Sequence, residues 1–481
     1  MTILFSREQE LLISVVFVFL AFLYMYSRSS SRSHGQSVLP ADWPIVHMLP
    51  GVIANLHNAH DYLAAILTEA GHNFRLHIPQ RHIFLTCDPG NVRHIFTTNH
   101  ANFPKGLEFA AIFDIMDGGI FTVDGEPWRR QRTKFQSVLS SPGLVSSMAA
   151  CCLDKVENGL LPFFTHMAST NTPFDMQEVI SRFVFDLAAT PLFGVDPSLL
   201  SSDMPSMDVA VAMDTVMEVG FFRHVMPVSC WKAMRRLNID PERKLDEAHK
   251  VIRGFFMEMI EKKKINGTCV CINGEKERVD VLSSYINDPD YADDDLLRAK
   301  LLSLMLGGRD TIGTTSCHGS SISLPRILTS FQSYTMNSHP LHHTKLYPSA
   351  PIERKTVATT DIMPSGHEVH TGDTILISLY SMARMEGVWG KDCRDYNPHR
   401  WLSEDGNKLV YVPSHKFLSF NSGPRMCPGK DIAVVQMKTV VAAVVWNFDM
   451  EVVEGQSIQP KLSCTLQMKN GLMMILKKRE I

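Results

Sequence analysis

The chain has little of what defines several broad protein classes. Its ten cysteines, scattered from Cys87 to Cys464, contain no CxxC pair and no regular framework, which argues against a disulfide scaffold and for a reduced, cytosol-facing protein. Cys151-Cys152 and Cys269-x-Cys271 read as ordinary thiols rather than metal ligands. An excess of one charge sign is also missing: 47 basic against 50 acidic side chains leave −3, with no block of like charge, so nucleic acid is not an expected partner. There is no internal repeat and no Gly-rich dinucleotide motif after a strand. Low-complexity sequence is confined to a short Ser-rich connector.

One apolar run stands out. Leu11 to Tyr26, LLISVVFVFLAFLYMY, is interrupted only by Ser14. Its 16 residues cover ~24 Å as a helix, slightly short of a ~30 Å hydrocarbon core, so it spans only with some adjustment of the bilayer. A cleaved signal peptide calls for a basic leading segment, and Arg7 is outnumbered by Glu8 and Glu10; the run therefore reads as an uncleaved anchor. Arg28 and Arg32 on its C-terminal flank put the bulk of the protein in the cytosol. The expected organisation is a membrane anchor over 1–26, a Ser/Pro-rich linker and hinge over 27–50, and one domain over 51–481.

That domain reads as mainly α with small β-sheets. Helices are expected over Trp128 to Val138, Asp246 to Lys264 and Asp293 to about Thr315. The last third changes character, with Pro, Gly and Asp punctuating short β-prone runs in TTDIMPSGHEVHTGDTILISLYS. Near the end, Asn470-Gly471 between two such runs predicts a hairpin.

The stretch FLSFNSGPRMCPGK, Phe417 to Lys430, sets Cys427 just ahead of an apolar helical run from Asp431 to Trp446. Free N–H groups and the dipole of a helix N-terminus favour a thiolate there, and Pro428 suits a first turn. Gly423 and Gly429 remove side chains so that something flat can approach the backbone, and Arg425 offers a fork for a carboxylate. These are the needs of a thiolate-ligated haem with propionates; a buried structural cysteine in a turn is the plainer alternative. Phe420, Gly423, Arg425, Cys427 and Gly429 together spell FxxGxRxCxG, which resembles the haem-binding loop of the cytochromes P-450.

Other segments share the resemblance. Leu306-Gly307-Gly308-Arg309-Asp310-Thr311 looks like the family's central-helix motif, which implies that Asp310 and Thr311 sit over the iron and relay protons to bound oxygen. Two adjacent mid-helix glycines cost ~1 kcal/mol each, so they need a reason, either close approach to a cofactor or a helix end. Trp128 and Arg132 match the family's WxxxR, implying contacts to haem propionates, and their i, i+4 spacing shares one helix face. Tyr396-Asn397-Pro398-His399-Arg400-Trp401 matches the loop whose arginine locks the core below the haem.

The segments ADWPIVHMLPG, NFPKGLEFAAIFDIMDGGIF, FFRHVMPVSCWK and YVPSHKFLSFNSGPRMC are similar to plant members that hydroxylate fatty acids and alkanes, close to the midchain alkane hydroxylases. The resemblance implies a membrane-bound monooxygenase of the endoplasmic reticulum that uses O2 and a long-chain apolar substrate. Electrons would come from a separate NADPH-dependent reductase docking near Lys416 and Lys430. Phe109, Phe113, Ile120 and Phe121 are candidates to line an apolar pocket or plain core.

The segment from about 312 to 345 departs from the pattern. It is rich in Ser and Thr, Gly319 and Pro325 interrupt it, and it is too short for the helices expected there at ~11–12 residues each. Aligned on LYP, His342 and Lys345 stand where the family has glutamate and arginine, leaving Arg400 as the sole member of a Glu-Arg-Arg set and without its carboxylate. A catalytically inactive or poorly folded relic or splice product of the same family is the alternative reading.

Overall fold

The structure is a computed structural model describing residues 37–201, 203–266, 280–286, 288, 293–327, 344–405 and 408–480, with backbone alone at 266, 314–327 and 398. The proposed anchor and His342 lie outside these residues. Among those described, no helix is long and apolar enough to cross a membrane.

Helices dominate. Those that position the site are α1 (Ala59–Glu69), α2 (Gly106–Ile112), α3 (Gly125–Leu139), α4 (Met176–Phe193), α5 (Asp208–Val225), α6 (Glu242–Asn266), α7 (Asp294–Ile327) and α8 (Lys430–Asn447). On α7, Leu297, Leu301, Leu302, Met305 and Leu306 recur at helical spacing. They bury against Phe185, Ala189 and Phe193 of α4, Met213 and Met217 of α5, and Ile252, Phe256 and Ile260 of α6. α4 is apolar on nearly every side because a second set of its residues, Val179, Phe183 and Val184, is buried in the cluster that also holds Met437, Val440 and Val444 of α8. The Asp175 carboxylate caps α4 by accepting from the Gln177 N–H at 2.9 Å, and Gly194 closes the helix at φ +74°.

The strands are β1 (Asn73–Ile78), β2 (Arg81–Thr86), β3 (Phe174–Asp175), β4 (Ile352–Thr356), β5 (Asp361–Ile362), β6 (Glu368–Val369), β7 (Thr374–Ser378), β8 (Phe448–Val452) and β9 (Met473–Lys478). One sheet runs β1-β2-β7-β4, a second β3-β9-β8, and β5 pairs with β6. Within the first, β2 and β7 are parallel, with Ile83 opposite Thr374, while β4 runs antiparallel to β7, with Arg354 opposite Leu376. The expected class, mainly α with small sheets, is what is found.

Two local expectations are corrected. The central helix continues past Thr315 to Ile327. Helical hydrogen bonds are local and propagate cheaply once a helix is nucleated, so Ser and Thr do not end it. Asn470-Gly471 does form a turn, with Gly471 at φ +68°, but not a hairpin. β9 instead pairs with β8 and β3, and the run before the turn makes one bridge, Pro460 to Met468. The Asp175 carboxylate accepts from the Leu472 N–H at 2.9 Å, so the turn is fixed by a distant strand rather than by its own flanks.

Candidate functional site

The cysteine loop is built by backbone constraints. The Cys427 N–H donates to the Phe420 carbonyl at 2.7 Å, which folds Phe420–Cys427 back on itself. Gly423 has φ +62°, and a β-carbon there would lie 1.8 Å from the Phe96 carbonyl oxygen. Its missing side chain therefore makes room for the protein's own backbone, whereas a β-carbon on Gly429 would sit 4.0 Å from Cys427 Sγ without a clash. Gly429 is the N-cap of α8, so Pro428 precedes the helix instead of occupying its first turn. Burial pushes the Cys427 thiol up, opposed by the Gly429 N–H and by the positive charges of Arg132 and Lys430. Phe420 packs at the edge of the α4–α8 core, with Lys430 Nζ 5.8 Å above its ring.

Cations converge beside this loop. Arg425 donates to the Asp124 carboxylate at 2.6 Å and to the Val123 carbonyl at 2.7 Å, and stacks 4.6 Å over Trp128. Arg132, one turn along α3 from Trp128, donates to the Met426 carbonyl at 2.5 Å, and its Nε is buried without a partner. The expected group Cys427, Arg425, Trp128 and Arg132 is thus brought together. Sequence reading missed Lys105 and Lys355, both buried against this group. Lys105 lies 4.4 Å over Phe109 and 3.9 Å over Phe121, and burial pulls its pKa down to about 7. A lysine inside the apolar run NFPKGLEF was the available signal.

The other half of the site is on α7. Gly307 and Gly308 lie inside the helix, so they do not end it. A β-carbon on Gly307 would meet open space, whereas one on Gly308 would lie 3.4 Å from Ala188 of α4. The Thr311 hydroxyl donates to the Gly307 carbonyl at 2.6 Å. Asp310 is buried and accepts from Arg309 at 2.9 Å, while Arg309 also donates to Asp214 at 2.7 Å and Ser181 at 3.0 Å. Burial raises the Asp310 pKa to about 6 despite Arg309. Ile312, next along, packs in the cluster that holds Met437 of α8, which joins the two halves.

Asp310 and Thr311 help line an apolar cavity of about 260 Å³ that Phe109, Phe113, Phe121, Met217 and Phe221 also wall. Ile120 does not reach it. A second cavity of about 210 Å³, polar and lined by Ser181, Asp214, Arg309 and Gln467, meets the same Asp310 from the other side.

Arg400 is not left without a carboxylate. Its Nη2 lies 2.7 Å from Asp392 Oδ2, and it donates to the Trp389 and Asp392 carbonyls, each at 2.8 Å. Asp392 stands close by in sequence and supplies locally what a distant glutamate was expected to supply. Lys345 is buried beside it, donating to the Cys393 carbonyl at 2.6 Å and lying 4.9 Å over the Trp389 ring.

The chain is 32% identical to noroxomaritidine synthase of Narcissus aff. pseudonarcissus MK-2014, covering 100% of this chain and 98% of that protein. That alignment is 515 positions long against 481 residues here, so the relative carries positions with no counterpart in this chain. Identity is also 32% to alkane hydroxylase MAH1 of Arabidopsis thaliana, over 97% of this chain and 98% of that protein. Cytochrome P450 86B1 of Arabidopsis thaliana is 32% identical over 98% of this chain and 90% of that protein. The family profile for cytochrome P450 matches residues 39–319 and 345–478, and its interruption falls inside the segment that departs from the expected pattern. With most of its length matched and the cysteine loop and central-helix motif intact, the chain belongs to the cytochrome P450 family.

Proposed function

We propose that this monooxygenase hydroxylates a long-chain aliphatic substrate, a fatty acid or an alkane, with O2 and electrons from a separate NADPH-dependent reductase. Cytochromes P450 use haem iron. The residues present suit that group: a half-buried thiol ahead of α8, with the cations Lys105, Lys355, Arg132 and Arg425 gathered beside its loop. Arg132 Nε is a buried donor without a partner, and Lys105 is a cation held in apolar surroundings by nothing strong enough to keep its pKa normal. In this reading Cys427 would hold the haem iron, Phe420, Gly423 and Gly429 would shape its loop, and Arg425, Arg132, Trp128, Lys105 and Lys355 would receive the propionates. When bound, thiolate-ligated haem supplies oxygen activation and insertion into an unactivated C–H bond.

The chain's own residues handle protons and exclude water. Asp310 belongs to the walls of both cavities, and this is the observation that carries the proposal. A carboxyl with its pKa near 6 takes protons from the polar side and presents them to the apolar side, where Thr311 passes them on. Phe109, Phe113 and Phe121 keep that side dry. Residues 11–26 anchor the chain in the endoplasmic reticulum membrane with the catalytic domain in the cytosol, and exposed Lys416 with Lys430 meets the reductase.

The test is the reduced, CO-bound absorption spectrum of membrane-expressed protein, followed by product analysis with dodecanoate and dodecane. The parent shows thiolate ligation and an oxygenated product; Cys427→Ser loses both. A Ser variant that keeps the thiolate spectrum removes Cys427 from the role. The unmatched stretch 320–344 favours a second reading, in which the chain holds haem poorly and turns over little.

A further inference from the structure

The apolar cavity has one basic corner. Arg354 of β4 lines it and is buried, touching the Glu108 carboxylate of α2 and donating to Thr374 Oγ1 at 3.1 Å. Arg81 of β2 reaches the same Glu108 and donates to the His224 carbonyl at 2.8 Å. Two guanidinium groups therefore share one carboxylate. His224 does not change the balance: it is buried next to three cations, which holds its ring neutral, and its Nδ1 accepts from Arg354 at 3.3 Å. Among the described residues this pairing leaves one positive charge over, and Arg354 Nε is a buried donor without a partner there.

The other charged residues lining the cavity are Lys105, Asp310 and Glu353. Asp310 shares Arg309 with Asp214. Glu353 and Lys355 project from β4 on alternate positions to Arg354 and interact with Lys105 and Arg425, so they belong to the cysteine-loop side. None of these forms an ion pair with Arg81 or Arg354, whose shared partner is Glu108.

We propose that this corner receives the carboxylate of the aliphatic substrate, so that the ligands of the cavity are long-chain acids in preference to alkanes or alcohols. The inference rests on the aliphatic reading above. A charge-assisted hydrogen bond from the unmet Arg354 Nε–H to a carboxylate recovers part of what burial of the extra charge costs, and an alkane end leaves that donor unmet. The aliphatic chain then lies along Phe109, Phe113 and Phe221 toward Thr311.

Displacement of Nile red, a neutral apolar probe, from the full-length haem-loaded protein reads binding without turnover. The competitors are dodecanoate, 1-dodecanol and methyl dodecanoate. Dodecanoate is expected to displace the probe at roughly tenfold lower concentration than either neutral ligand. Arg354→Met should erase that preference and leave the alcohol unchanged, while Arg354→Lys retains part of it. Equal displacement by acid and alcohol in the parent overturns the head-group site but leaves the aliphatic reading standing. Failure of all three to displace the probe overturns the aliphatic reading itself. A preference that survives in a folded Arg354→Met, judged by circular dichroism, overturns the assignment to this corner.

Discussion

A side chain on Gly423 cannot coexist with the Phe96 carbonyl, because a β-carbon would approach its oxygen to 1.8 Å. The residue also holds φ +62°, which costs an L-residue ~1–2 kcal/mol before any clash. Gly423→Ala is therefore expected to lose roughly 2–5 kcal/mol in total, or to push the cysteine loop away from the segment at 94–98. Urea midpoints and haem retained per protein would show it; an Ala variant equal to the parent in both contradicts the packing described.

Thr311→Ala should separate reductant consumption from product formation. The variant loses the hydroxyl that stands beside Asp310 on the cavity wall, and with it the last step of the proposed proton delivery. With dodecanoate as substrate, product per NADPH consumed should fall on the order of tenfold while NADPH oxidation changes far less. Equal coupling in variant and parent takes Thr311 out of proton delivery.

Lys345 makes stability depend on alkaline pH. Burial, with Arg400 as a like-charged neighbour, lowers its pKa to about 7 from 10.5. Below pH 7 both folded and unfolded chains hold the proton, and the fold bears the whole cost of burying it. Between pH 7 and 10.5 the unfolded chain keeps a proton that the folded chain has shed, so stability climbs with pH by at most ~1.4 kcal/mol per unit. Lys345→Met should reduce the slope of denaturant midpoints taken from pH 7 to 10, leaving the share that Lys105, also lowered to about 7, contributes. An unchanged slope assigns the titration elsewhere.

Replacing the stretch that the family profile leaves unmatched, 320–344, with the corresponding segment of the alkane hydroxylase relative should raise haem content. The Glu-Arg pair is not expected to be the limiting contribution, since Arg400 already has its Asp392 partner. Changing His342 to Glu with Lys345 to Arg should therefore gain little. Haem per protein in parent, double variant and chimera makes the comparison; a parent already at one haem per chain refutes the idea that the stretch limits binding.

Local signals in the sequence carried a long way. The helix around Trp128 and the one from Asp246 came through because apolar and charged positions alternate at helical spacing, and the Cys427 loop because its glycines and prolines are crowded into a few residues. What stayed hidden depends on residues far apart in the chain. Lys105 meets Arg425 and Lys355 only in the folded molecule, and Arg81 meets Glu108 and Arg354 the same way. The Asn470-Gly471 turn was visible, but its partners were not, because Asp175 and β8 lie outside any local window. Arg400 shows the opposite error: its carboxylate was sought at a distance and stood close by.

The parallel pairing of β2 with β7 sets a timetable for synthesis. Ile83 lies opposite Thr374, so the ribosome must add roughly 290 residues before the edge of β2 finds its neighbour. At ~5–20 residues per second the β1–β2 ribbon waits on the order of 15–60 s with apolar Ile83 and Leu85 uncovered. An open edge of that kind invites pairing with another nascent chain. Expression of this protein should accordingly depend on chaperone supply and on the speed of translation more than on the stability of the finished fold.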